Sequence, residues 1–148
     1  MQSLDIEELG LREVNSRLHQ VNDGKFEILN PRGLHNIAVG LDAPLDVTVR
    51  GHVGAYCAGM NKHANVTIEG NAGPGLAENI MSGKVHVRGY ASQAVGATGH
   101  GGLIVVEGDA TADVIFTPDI IARRFTHVAE DLAEPRTARL RRRRLQLW

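Results

Sequence analysis

Four glycines nineteen residues apart, Gly51, Gly70, Gly89 and Gly108, constrain this chain more than anything else in it. Each closes a short phrase of alternating apolar residues: VTVRG, VTIEG, VHVRG and VVEG. Two positions before the glycines stand Val49, Ile68, Val87 and Val106, and two before those Val47, Val66, Val85 and Ile104. Alternation of this kind reads as a strand with one buried face and a turn behind it. Repetition at a fixed period reads as a solenoid, each repeat burying its face against its neighbours. A fold of that kind makes a self-contained active site an unpromising expectation.

The pattern divides residues 45–64, 65–83 and 84–102 into three coils, with a fourth beginning at Leu103. The phrase FEILNPRG reads as a degenerate earlier rung, with Arg32 in the place of the repeat glycine. Two residues after each glycine the side chain is small or β-branched (Val53, Ala72, Ala91, Ala110), as a tight inward corner requires. A left-handed β-helix built on hexapeptides would turn about every 18 residues, so a right-handed parallel β-helix of irregular cross-section fits nineteen better. The residue before each glycine alternates in sign: Arg50, Glu69, Arg88, Glu107. In a parallel stack such residues lie about 4.8 Å apart, so opposite charges form a ladder that resists a slip of one coil.

The ends read as caps. Leu11, Val14, Leu18 and Val21 have helical spacing, with Asp5 and Glu8 as a capping box and Gly24 as a stop, giving a lid over the first coil. Ile121, Phe125, Val128 and Leu132 also have helical spacing, up to Pro135, and predict a C-terminal helix. The expectation is therefore an all-β solenoid of about four coils: a helical cap over 1–24, the β-helix over 25–116, and a helix with an arginine-rich tail over 117–148, disordered from Arg136. Through Ile121 fourteen acids face eight Lys or Arg; from Ala122 onward eight arginines face three acids. The body is acidic and the tail basic.

Candidate chemistry is thin. GNAGPG and GHGG are glycine clusters, but neither carries the Lys-Ser/Thr of a phosphate loop, and solenoid corners account for them. His35, His52, His63, His86 and His100 fall at differing offsets, without the convergence zinc needs. Cys57 reads as a small buried apolar group before it reads as a nucleophile. The arginine run lacks interleaved aromatics, which argues against nucleic acid. No apolar run reaches the roughly 18 residues of a membrane span. With one cysteine, no leader pattern at MQSLDIEELG and no internal disulfide, a cytoplasmic location is expected. No catalytic, cofactor or metal residue is assigned; the residues singled out are the repeat glycines and the Val49, Ile68, Val87, Val106 column.

The stretch from Gly51 to Ala110, with the phrases AGMN, GNAG, AENIMSG and GATGHGG, resembles the GXGXG domain at the C-terminus of glutamate synthase. It is most similar to the stand-alone GlxC-type subunit, as found in N-methylglutamate synthase; LREVNSRLHQVNDGKFEILNPRGLHNIAVGL extends the likeness back to Leu11. That resemblance implies a right-handed parallel β-helix that contributes no catalytic side chain. It implies two companions, a class II glutamine amidotransferase and an FMN-dependent synthase subunit with an iron–sulfur cluster. The first needs a cysteine directly after the initiator methionine and the second several cysteines; Gln2 and the single Cys57 exclude this chain from both roles. Members of the family continue with further coils where this chain has ADVIFTPDIIARRFTHVAEDL and the arginine run. The same β-helix also resembles the solenoid subunit of formylmethanofuran dehydrogenases, and a free-standing module using the basic tail is a third reading.

Overall fold

The computed structural model describes residues 1–112 and 119–127. Seven strands form a single sheet in sequence order, each parallel to the next: β1 (Gln2–Asp5), β2 (Gly24–Leu29), β3 (Leu45–Arg50), β4 (Asn65–Ile68), β5 (Lys84–Val87), β6 (Leu103–Ala112) and β7 (Asp119–His127). Between β1 and β2 lie two short helices, α1 (Ile6–Leu9) and α2 (Leu11–His19). The molecule is a parallel β-solenoid, the architecture of a right-handed parallel β-helix.

Register follows the repeat. Val47 pairs with Val66, Val66 with Val85 and Val85 with Ile104, and Val49, Ile68, Val87 and Val106 stack likewise. All four of the latter are fully buried. Leu4 and Ile28 prolong the same column at one end and Ala122 at the other. On the far side of the interior Ile37, Cys57, Leu76 and Val95 close the core, all without solvent exposure. Val53, Ala72 and Ala91 form a further column of parallel bridges at the corner.

The repeat glycines are required by proximity. A Cβ on Gly70 would lie 2.7 Å from the carbonyl carbon and oxygen of Gly51, and one on Gly108 2.8 Å from the Gly89 oxygen. Successive coils pack backbone on backbone at this corner, leaving no room for a side chain.

The stack is longer than four coils, and its two ends differ from the sequence expectation. β1 precedes the helical cap and joins the sheet, with Leu4 opposite Ile28. α2 ends at His19, and Gly24, with φ of 123°, is the first residue of β2 and no helix stop. Ile28 pairs with Val49, twenty-one residues on, so the extended line of the strand carries the repeat-glycine position to Asn30 (φ 56°) instead of Arg32. At the other end, the helix expected from Ile121 is strand over 119–127: Ile104 pairs with Ile120, and Ala110 with Phe125 after a register shift. Ile120 and Ala122 are buried and Arg123 exposed, the alternation of a strand that a four-residue spacing masks. The expected helix beyond His127 and the arginine-rich tail lie outside the described residues.

α2 does cover the first coil. Its Val14 and Leu18 are buried in the core. Asn15 accepts a hydrogen bond from the Ala38 amide (2.9 Å) and donates to the Asn36 carbonyl (2.8 Å), and His19 Nε2 lies 2.7 Å from the Val39 carbonyl oxygen. Side chains of the helix thus meet the backbone groups that a preceding coil would otherwise satisfy. Asp5 caps α1 by accepting from the Glu7 amide at 2.9 Å, and also accepts from the Asn30 side chain at 3.0 Å. The Asn30 bond is the main reason the Asp5 carboxyl titrates below its ordinary range.

Candidate interaction site

Opposite the sheet, each coil returns through a ribbon whose alternate residues have left-handed backbone. The positions are Asn36, Ala38 and Gly40; Tyr56, Ala58 and Met60; Gly75, Ala77 and Asn79; Ala94, Gly96 and Thr98. Amides along the ribbon point alternately up and down the stack. Tyr56 and Met60 donate to Pro74 and Glu78 of the next coil at 2.8 and 2.7 Å, whereas Ala58 donates to Ile37 of the previous one at 3.0 Å. Gly75, Asn79 and Ala77 repeat the arrangement one coil later. Left-handed backbone costs a non-glycine residue about 1–2 kcal/mol, which these inter-coil bonds offset. The middle position of each triplet is buried and holds only Ala or Gly, while the outer ones turn Tyr56, Met60 and Asn79 to solvent.

Three ribbons side by side enclose a groove of about 290 Å³ lined by Asn36, Val39, Tyr56, Met60, Glu78 and Asn79. The Tyr56 ring lies across Gly75, where a Cβ would collide with it. Tyr56 and Met60 are 47% and 52% exposed, a high fraction for large apolar side chains on a coil whose Cys57, Ala58 and Asn61 are fully buried. The backbone of Glu78 is fixed at both ends, its amide bonded to Gly75 and its carbonyl to Met60.

Several of the other chemistry-bearing residues have structural partners, whereas the buried His86 Nε2 makes no hydrogen bond among the described residues. His52 Nδ1 accepts from the Asn71 amide (2.8 Å), and Asn71 Oδ1 accepts from the Tyr90 amide (2.9 Å), a ladder climbing three coils. His35 Nδ1 accepts from the Ala55 amide at 2.7 Å, and His63 faces Asp42 at 3.8 Å. His86 Nε2 is 3.7 Å from Glu107; burial holds its pKa below the usual histidine value, partly opposed by that carboxylate. His100 lies on a different corner, its amide bonded to Ile80. Among the described residues no three His, Cys, Asp or Glu side chains converge as metal ligands. Cys57 sits in the interior column with its thiol pushed up to about 12 by burial, far from the thiolate character a nucleophile needs. Asn61, wholly buried, donates to the Ala64 and Ser82 carbonyls at 2.8 and 3.0 Å and so clips one coil to the next.

In the charge ladder Arg50 bridges Glu27 (3.1 Å) and Glu69 (2.8 Å), and Arg88 reaches Glu107 at 3.7 Å. Glu69 and Glu27 together raise the Arg50 pKa; Ser3, then Arg50, lower that of Glu27. These pairs are solvated and fix register more than they add stability. Glu27 is not at a ladder position: it stands opposite Thr48, the residue opposite Arg50 is Leu29, and Arg50 reaches Glu27 diagonally.

Comparison with known proteins identifies a relative. The chain is 53% identical over 89 residues to Protein GlxC of Rhizobium meliloti (strain 1021). Over that span the two are homologues. The match takes in 57% of this chain and 39% of GlxC, so this chain accounts for well under two thirds of that protein's length. No family model matches the chain. No solved structure matches it either. Among the described residues no helix is long and apolar enough to cross a membrane.

Proposed function

We propose that this chain is a non-catalytic β-helix subunit of a glutamate synthase-like complex, of the N-methylglutamate synthase kind. Its place there is to hold a class II glutamine amidotransferase subunit against an FMN-dependent synthase subunit. FMN and the iron–sulfur cluster belong to the partners.

The observation that carries this reading is the homology to GlxC, set on a solenoid that agrees with the GXGXG resemblance. The disposition of side chains supports it. Polar groups that could do chemistry are engaged in joining coil to coil: His52 and Asn71 accept backbone amides, and Asn61 donates to backbone carbonyls. A solenoid of this sort offers extended surface in place of a cleft. Coexpression of the full chain with amidotransferase and flavoprotein subunits from the same genome tests the proposal. Copurification of both with the chain is expected, and recovery of the chain alone would refute it. Recovery with molybdopterin-binding subunits would move the assignment to the formylmethanofuran dehydrogenase type. Salt-sensitive association that vanishes on deletion of Arg141 to Arg144 would instead favour the free-standing module.

A further inference from the structure

We infer that the ribbon groove is a receptor for a cationic side chain, arginine before lysine, presented by a partner protein. Its occupant is argued from charge and shape. The lining residues include one acidic residue, Glu78, and no Lys, Arg or His. Glu78 makes no ion pair within 4 Å among the described residues, unlike Glu27, Glu69 and Glu107 on the sheet side. Beside it stand an exposed aromatic ring, Tyr56, and an exposed thioether, Met60. An apolar stem with a positive head satisfies both features: the stem covers Tyr56 and Met60, and the guanidinium meets Glu78 and the face of Tyr56. Asn36 adds an amide among the lining residues, while the amide oxygen of Asn79 already accepts from the Thr98 hydroxyl. An uncharged apolar occupant would bury Glu78 without a partner, which is costly.

The size agrees. At about 290 Å³ the groove is at or below the lower limit of small-molecule sites, roughly 300–1,000 Å³, and matches one long side chain. Arginine is favoured over lysine because a planar guanidinium both stacks on a ring and engages a carboxylate. The backbone of the site is fixed. Tyr56 and Met60 each hold a left-handed backbone fixed by inter-coil bonds, and the Tyr56 ring rests on Gly75. The main chain therefore needs little ordering on binding.

The partner class rests on the proposed complex, but the chemistry of the groove can be tested without it. Protein carrying ¹³C-methyl methionine is titrated with Nα-acetyl-arginine amide, and in parallel with Nα-acetyl-norleucine amide and Nα-acetyl-glutamate amide. Saturable shifts of the Met60 methyl and the Tyr56 ring are expected with the arginine probe alone. Glu78→Gln should weaken them by roughly tenfold while leaving the circular dichroism unchanged. Equal response to norleucine amide, or an arginine response indifferent to Glu78→Gln, would overturn the inference. In coexpression, Glu78→Arg should release a partner that the unaltered chain retains. If the unaltered chain retains none, the proposed complex fails, while the titration still decides the groove.

Discussion

Substituting Gly70 by alanine would insert a methyl group where two coils touch through their backbones. Its Cβ would lie 2.7 Å from Gly51 C and O and 2.8 Å from the His52 nitrogen. Relaxed carbon contacts need about 3.5–4.0 Å, so the coils must part locally by about 1 Å. Three hydrogen bonds span that point: Glu69 to Val49 (2.9 Å), Val53 to Asn71 (2.9 Å) and the Asn71 amide to His52 (2.8 Å). Opening by such a distance takes all three outside bonding range, at about 0.5–1.5 kcal/mol each. Overpacking strain adds about 1–3 kcal/mol, and alanine's lower unfolded-state entropy returns under about 1 kcal/mol. The net expectation is a loss of about 2–7 kcal/mol. Gly33→Ala is the internal reference, since its Cβ meets nothing within 4 Å and only its left-handed φ of 71° resists the change. That should cost about 1–2 kcal/mol. Urea denaturation of both variants at matched m-value measures the difference. If Gly70→Ala cost no more than Gly33→Ala, the corner would not be a backbone contact and the packing account would be wrong.

Further outcomes follow from the same contacts. Ile68→Asp places a carboxylate among Val49 and Val87 with no partner and should prevent folding or cost several kcal/mol, whereas Ile68→Val should cost about 0.5–1.5 kcal/mol by the same urea assay. Asn15→Ala removes both polar contacts of Asn15 with the first ribbon. The Ala38 amide should then lose hydrogen-exchange protection, while protection at Val66 and Val85 stays as it was. Cys57 has a folded-state pKa raised to about 12 from 9.0, so its contribution is complete below pH 9 and is lost as pH rises through that window. Stability of the unaltered chain should therefore fall there by up to about 1.4 kcal/mol per pH unit more than that of Cys57→Ala. Equal slopes for the two proteins would contradict the buried thiol.

The middle of the fold is legible because β3 to β6 keep one interval: Val47, Val66, Val85 and Ile104 declare their register by spacing alone. Both ends are obscured by changes of interval. The twenty-one-residue step between β2 and β3 puts Ile28 opposite Val49, so counting back by nineteen places it one inward position out. β1 has a single inward apolar residue, Leu4, too little for a period to show. β7 is hidden for another reason. Ile121 and Phe125 suit a helical stripe, but the alternation of Ile120 and Ala122 pairs with Ile104 and Val106, and tertiary pairing with a waiting strand edge decides between them. The groove is not legible in the sequence. Its geometry depends on left-handed backbone at Tyr56 and Met60, residues with no glycine-like signature, as well as at Asn79, and on three coils lying side by side. What the sequence does carry is their common spacing: Ala58 and Ala77, like Met60 and Asn79, are nineteen residues apart.

The central claim is that this chain is needed in a complex whose chemistry lies elsewhere. Reconstitution measures that directly: glutamine-dependent synthase turnover by the amidotransferase and flavoprotein subunits, with and without this chain, and with Cys57→Ala and His86→Asn in its place. Turnover is predicted to depend on the chain and to survive both substitutions. Turnover indifferent to the chain, or abolished by either substitution in a folded and assembled complex, would contradict the claim.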